Sequence, residues 1–278
     1  MTTPPSGPDD RSTSRARRGG SAPGWFRPSV VLPPLVALGA LAVGWQVYAI
    51  HNPFVIPRLQ AIFDDLGSRP DLYLRNALTT LEEALIGAAV GMTAAFLLAV
   101  VMSFVKVVER ALLPLSVVLN VTPVIAIAPA LVVAFGFGES PKYIITAILV
   151  FFPFLINSLT GLRSVDPRAL DVFRTLHASR SEIMRKLSLP SSLPYLFAAA
   201  RICLPLSLIG AVVAEFVAAG TANGLGTLIV TAASLGDLKT IYASVFILSV
   251  MGVALFLLVV MLQNRVLTWH GSAALEEG

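Results

Sequence analysis

The sequence has little charge and almost no cysteine. Charged residues are 13% of its 278 positions against 56% hydrophobic ones. Too few charges remain to cover an ordinary soluble domain, and the composition indicates a polytopic membrane protein. A single cysteine, Cys203, excludes an internal disulfide and a cysteine metal centre; it reads as a small apolar helix residue. The three histidines, His51, His177 and His270, lack metal-ligand spacing. No Gly-x-x-x-x-Gly-Lys-Ser/Thr loop occurs, so the chain does not power itself with nucleotide. The apolar runs hold no nucleophile with its base, and no catalytic, cofactor-binding or metal residue is assigned. The net charge of +4 comes without an aromatic-interleaved basic patch, which excludes nucleic acid as a partner.

What is present is long and apolar. A bilayer core of about 30 Å needs about 20 apolar residues of helix. Six such runs lie near 29–50, 84–105, 112–136, 143–162, 195–219 and 241–262. None alternates in the manner of a barrel strand, so the expected fold is all-α, a membrane protein of about six transmembrane helices. The second run reads as the end of a longer helix that starts near Leu72 and is capped by Asp71. Residues 1–28, with Arg11, Arg15, Arg17, Arg18 and Arg27, read as a disordered basic tail, and 270–278 as a short second tail. The tail is long and no small-residue cleavage site closes the run after it, so the first span is expected to stay in the mature protein. With both termini and the 164–194 loop cytoplasmic, fifteen of the twenty Lys and Arg residues lie inside and five outside. That is the positive-inside pattern.

Within the runs, Gly87, Gly91 and Ala95 recur every four residues, as tight helix packing requires. The third run carries Pro114, Pro123 and Pro129 with Asn120 and Thr122 between them. Carbonyls freed by proline are tolerated in a membrane only against protein or a watery cavity, which predicts an interior position for this helix. Glu215, about one turn from the outer end of the fifth run, either is paired or hydrated by its neighbours or snorkels to the interface. Glu82 and Glu83 read as solvent-exposed. As polar groups in apolar spans, Asn120, Thr122, Asn157 and Glu215 are the candidates for a translocation path.

Between the fourth and fifth runs the chain turns basic, with Arg163, Arg168, Arg174, Arg180, Arg185 and Lys186. Asp166-Pro167 is a helix cap followed by a favoured first residue, and the helix it opens should run to Leu176. Ala169, Leu170, Phe173 and Leu176 form one apolar stripe on it. Ser179-Arg180-Ser181-Glu182 fits a reciprocal capping box, opening a second helix that should stop by Leu189 ahead of Pro190. A solvated connector accounts for the arginines of this helix–turn–helix but not for its stripes, which suit a surface presented to the bundle's own underside or to a partner.

On these residues the sequence resembles the inner-membrane permeases of bacterial ABC importers. Their loop signature runs Glu-Ala-Ala, three residues, Gly, nine residues, Ile-x-Leu-Pro. Here Asp171-Val172-Phe173, His177 and Leu187-Ser188-Leu189-Pro190 keep that spacing. The likeness covers about residues 30–269 and is strongest to the nitrate/sulfonate/taurine group, through "NPFVIPRLQAIFDDL", "RTLHASR", "LPSSLPYLFAAARI" and "IGAVVAEFVAAGTANGLGTLI" among others. It implies a permease homodimer in the plasma membrane, a cytoplasmic ABC ATPase dimer that binds the ATP, an extracytoplasmic solute-binding protein, and surrounding lipid. The carried cargo would be nitrate-, sulfonate- or taurine-like, or, as in cousins, a pyrimidine vitamin precursor or riboflavin. It further implies that the loop, about 164–194, couples the ATPase to the spans. Asp171, Phe173, Arg174 and Leu176 would then lie on its first helix, His177 at the bend, and Ala178, Ser179 and Glu182 at the start of the second. Two departures stand out. His177 replaces a glycine that permits positive φ, and Phe173 replaces a small alanine, which suggests a dedicated ATPase with a roomier groove. A secondary carrier would couple through intramembrane charges and inverted repeats; one candidate carboxylate and no paired half-repeats argue against it.

Overall fold

The computed structural model describes residues 28–136, 138–218 and 223–267, and every regular element among them is helical. The two expected tails lie outside the described residues, apart from Pro28. The chain divides into two units, the first ending at Asn52. Its helix, α1 (Pro28–His51), is apolar and long enough to cross a bilayer, with Leu35, Leu41 and Val43 exposed.

The second unit begins at Pro53 and contains ten helices among the described residues. First come α2 (Leu59–Ser68) and α3 (Pro70–Phe104). The long helix starts two residues before the expected position: Pro70 takes the first helical position, where its missing N–H is harmless, and Asp71 lies inside the first turn instead of capping it. Next are α4 (Lys106–Val121), α5 (Val124–Phe135) and α6 (Ser140–Arg163). The basic loop forms α7 (Pro167–Thr175) and α8 (Arg180–Ile183). The chain ends in α9 (Leu189–Val217), α10 (Leu225–Leu235) and α11 (Leu238–Val266).

Among the described residues five helical stretches are long and apolar enough to cross a membrane: α1, α3, α6, α11 and the continuous run of α8 and α9. The expected single span over 112–136 is broken into α4 and α5. Pro123 has no N–H and drives Thr122 to an extended ψ of 124°. The break is patched locally, because both the N–H and the hydroxyl of Thr122 donate to the Val118 carbonyl, at 3.0 and 2.8 Å. Pro114 and Pro129 sit inside α4 and α5 without ending them. Nor is this segment interior: Val117, Val118, Val121, Ile125 and Val133 are exposed, while α5 buries Ala128 and Val132.

The centre of the second unit is α3 and α6 running parallel, with α9 antiparallel against both. Apolar side chains gain nothing by leaving lipid for one another, so close backbone approach has to hold these helices. Small residues allow it. A Cβ on Gly87 would lie 2.5 Å from Thr146 Cβ, one on Gly91 would strike the Ala147 carbonyl, and one on Gly210 would meet the Thr146 backbone at 2.9 Å. The Gly87, Gly91, Ala95 stripe therefore faces α6. Beyond it Ala99, Met102, Val150, Leu155, Leu159 and Cys203 close the core, with the Cys203 thiol donating to the Val150 carbonyl at 3.6 Å.

At one end of this core, α2 is fastened to α3 and α11. Asp65 accepts from Arg69 and Tyr73, Arg69 donates to Thr240 at 2.8 Å, and Phe63 meets Phe246 edge-on at 5.5 Å. The Asp65 carboxylate raises the Arg69 pKa above its ordinary value. The hydrogen bond from Thr240 holds Asp237, the cap of α11, below the usual carboxylate range.

Candidate functional site

Two constellations stand out, at opposite ends of α9. The first is the elbow formed by α7 and α8. The Asp166 side chain accepts from Arg168 N at 2.9 Å and opens α7, and the two-way capping box of Ser179 and Glu182 opens α8. Between them the chain turns back on a Schellman closure: Ala178 N donates to Phe173 O and His177 N to Arg174 O, both at 3.0 Å. His177 is the left-handed residue that closure demands, with φ of 54°, the one non-glycine at positive φ among the described residues. That geometry costs a non-glycine side chain on the order of 1 kcal/mol, less for residues such as histidine.

Asp171, Arg174, Leu176, His177, Ser179 and Glu182 are exposed, while Phe173 and Ala178 are half-buried. Leu176 is 73% exposed and Val172 59%, and α7 has no extensive packing with a spanning helix. Of the apolar stripe, Leu176 is exposed and Ala169, Leu170 and Phe173 are half-buried, so its Leu176 end is open to a partner.

The second loop helix does not stop at Leu189. It passes through a π turn, Met184–Ser188, directly into α9. The wider turn carries the helix on through Pro190, whose missing N–H costs one backbone bond within it. The second elbow helix and the span are therefore one continuous rod.

At the far end of that rod is a buried polar cluster. Glu215 is 0% exposed and does not snorkel. It accepts from the Thr80 hydroxyl at 2.7 Å, from Gly226 N, and from Thr227 N at 3.2 Å. Gly224 N donates to Asn76 Oδ1 at 2.7 Å, and Leu225 N to Thr80 Oγ1 at 2.8 Å. The four amides at the start of α10, normally left over at a helix end, are thus all satisfied by side chains of α3 and α9. A Cβ on Gly224, whose φ is 135°, would strike the Glu215 carboxyl, so this position needs glycine for both space and conformation.

Glu83, expected in solvent beside the exposed Glu82, is 3% exposed and pairs with Lys142 Nζ at 2.5 Å. Each buried carboxyl has its own counter-charge: Lys142 for Glu83, the positive end of α10 for Glu215. Lys142 also lies within electrostatic range of Glu215, which is thus paired by its neighbours within the bundle. Asn76, Thr80 and Glu83 recur at spacings of four and three on one face of α3, a polar stripe that identifies this cluster once it is sought.

The four path candidates are not brought together. Glu215 is sealed in the cluster. Thr122 is spent on the Val118 carbonyl, and Asn157 Nδ2 donates to the Pro153 carbonyl at 2.8 Å. Asn120 lies at an apolar cavity of about 230 Å³ lined by Val90, Gly91, Ile148, Phe151 and Phe152. Among the described residues no group of His, Cys, Asp or Glu could hold a metal ion.

A multi-pass helical bundle with a capped elbow running into a spanning rod is the architecture of a polytopic membrane protein. The chain belongs to the family described as "Binding-protein-dependent transport system inner membrane component", which it matches over residues 87–268. It is similar to the formylaminopyrimidine transport permease protein ThiX of Halalkalibacterium halodurans, 32% identical over 86% of this chain and 96% of that one. The riboflavin transport system permease protein RibX of Chloroflexus aurantiacus is 31% identical over 88% and 92%. The taurine transport system permease protein TauC of Escherichia coli is 24% identical over 83% and 86%. The chain is therefore a permease subunit of an ABC import system and not an enzyme; such permeases work with an ATPase and a binding protein.

Proposed function

We propose that two copies of this chain line the path of an importer in the plasma membrane, driven by ATP that a cytoplasmic ATPase dimer binds. The elbow of each copy docks on one ATPase subunit, and a solute-binding protein delivers cargo on the opposite side. The fully capped elbow, open at its Leu176 end, is the observation that carries this reading. The charge bias of fifteen against five supports a cytoplasmic elbow and cytoplasmic termini. A second copy is supported by the exposed break between α4 and α5, since irregular backbone at membrane depth needs protein or an aqueous cavity beside it.

The rod supplies the mechanism. Because no loop separates α8 from α9, a displacement at Ser179 and Glu182 passes into α9 without slack. From there it reaches α3 and α6 through the glycine contacts, and α10 through Glu215. ATP binding would draw the two elbows together and open the path outward, and hydrolysis would reset it.

The cargo best supported is a small planar heterocycle of the kind named for ThiX and RibX. Their identities exceed that of TauC, and the cavity beside Asn120 offers two aromatic walls and one amide. A sulfonate such as taurine is the second reading. It is favoured by Arg201, half-buried inside α9 and without an ion-pair partner among the described residues.

Proteoliposomes containing the chain, its ATPase and its binding protein test both levels. ATP-dependent uptake of formylaminopyrimidine or riboflavin in preference to taurine is the expected outcome. The reverse preference moves the cargo to sulfonates. Uptake by the chain alone on an ion gradient would replace the whole reading with a secondary carrier.

A further inference from the structure

Where α3 and α6 end and the elbow begins there is a cavity of about 360 Å³ that the transport reading does not use. Its apolar walls come from Phe104 and Leu162, in the last turns of two spanning helices, and from Met184 in the π turn. Its rim carries Lys106, Arg163 and Arg180.

These cations are not equally committed. Arg163 grips Glu109 with both guanidinium nitrogens, one at 2.7 Å, and this holds the Glu109 carboxyl below the usual carboxylate range. Lys106 feels the same carboxylate at a distance but forms no ion pair among the described residues. Arg180 has no ion-pair partner among the described residues, because the neighbouring Glu182 is engaged by Ser179 and Lys186. The rim thus carries three positive charges against one negative.

We infer that this cavity binds the headgroup of an anionic phospholipid, with the phosphate between Lys106 and Arg180 and the start of the acyl chains along Phe104 and Met184. Charge complementarity fits any phosphate. The apolar walls select the lipid source, because they stand where the spanning helices leave the bilayer and suit a molecule that is anionic at one end and hydrocarbon at the other. A free phosphate ion would leave them wet. An acidic partner protein would match the rim and not the walls. The inference holds whichever leaflet the elbow faces.

The test is lipid binding by the intact permease–ATPase complex in neutral detergent, read by native mass spectrometry and by thermal shift. The probes are phosphatidylglycerol, phosphatidylcholine and inorganic phosphate. The expected result is selective retention of phosphatidylglycerol. Its apparent affinity should fall on the order of 10-fold or more in the Lys106→Gln/Arg180→Gln double variant. The charge-matched control Arg75→Gln/Lys239→Gln, at the other end of the helices, should leave it unchanged, and Lys106→Arg/Arg180→Lys should restore it in a folded protein. Equal binding of the two lipids, or full affinity in the double variant, would overturn the inference. Inorganic phosphate displacing the lipid would move the site to a soluble anion. Loss of the ATPase from the double variant with lipid binding intact would give the cavity to the protein partner.

Discussion

The two ends of α9 handle polar groups in opposite ways. At the elbow, charges are left outside, the apolar stripe is no more than half-buried, and each helix end is satisfied by residues within a few positions of it. At the far end, two carboxyls and an ammonium are shut inside the bundle and the helix end they serve is capped wholly from other helices. A self-sufficient, largely exposed element suits docking to a partner. A cluster in which every donor depends on a distant acceptor suits holding helices in register. The difference separates what the molecule presents from what it preserves.

The largest effect should come from spoiling the presented side. Phe173→Glu places a charge in the apolar stripe and should abolish ATP-driven uptake, with ATPase affinity down on the order of 30-fold or more, since anchoring aromatic residues carry most of an interface's energy. Co-purification checks it, and the melting temperature should barely move, because Phe173 supports no core helix.

The preserved side should answer in stability. Lys142→Met strands the buried Glu83 and should cost about 3–5 kcal/mol, whereas Lys142→Met with Glu83→Gln should recover much of it. Thermal unfolding in detergent measures both, and equal losses in single and double variants would show that the pair is not what holds this end. In the packing between the two ends, Gly91→Ala forces a methyl group against the Ala147 carbonyl and should cost about 1–3 kcal/mol in the same assay. If it is neutral, α3 and α6 are not in the close contact described.

Smaller effects sharpen the picture. His177→Gly should relieve less than about 1 kcal/mol of left-handed strain, partly offset by the entropy of glycine, and should leave uptake near the parent level. Hydrogen exchange at Ala178 reads the turn directly. Asp237 sets the expected pH response. Its carboxyl is held low in the folded chain, so its contribution is present above its unfolded value of about 3.9 and is lost as pH falls through the lower folded one. Asp237→Asn should flatten that acid limb of the melting curve.

What the sequence discloses follows the same division. The elbow's caps are legible because Asp166 with Arg168, and Ser179 with Glu182, lie within three residues of each other, and the positive φ at His177 follows from the glycine it replaces. The start of α10 is not legible in this way. Its donors find acceptors 148, 145 and 11 positions away, on Asn76, Thr80 and Glu215, and no local pattern announces a cap at Gly224. Glu83 reads as exposed because its partner Lys142 is 59 residues on. The broken third span is half legible: three prolines announce distortion, but only Pro123 ends a helix, since the turns around Pro114 and Pro129 absorb their missing donors. Leu189 misleads for a related reason, as a π turn carries the helix across a proline that would otherwise stop it.

The elbow is the face that has to meet the motor for ATP to move the spans. The most direct measurement is cross-linking from Leu176→Cys in membrane vesicles, where the buried native Cys203 gives little background. A membrane-impermeant maleimide should label that position only when the cytoplasmic face is accessible, and a bifunctional reagent should join it to the ATPase subunit with a yield that changes on adding ATP. Labelling from the opposite face, or an assembled and transporting complex in which this position never reaches the ATPase, would contradict the account.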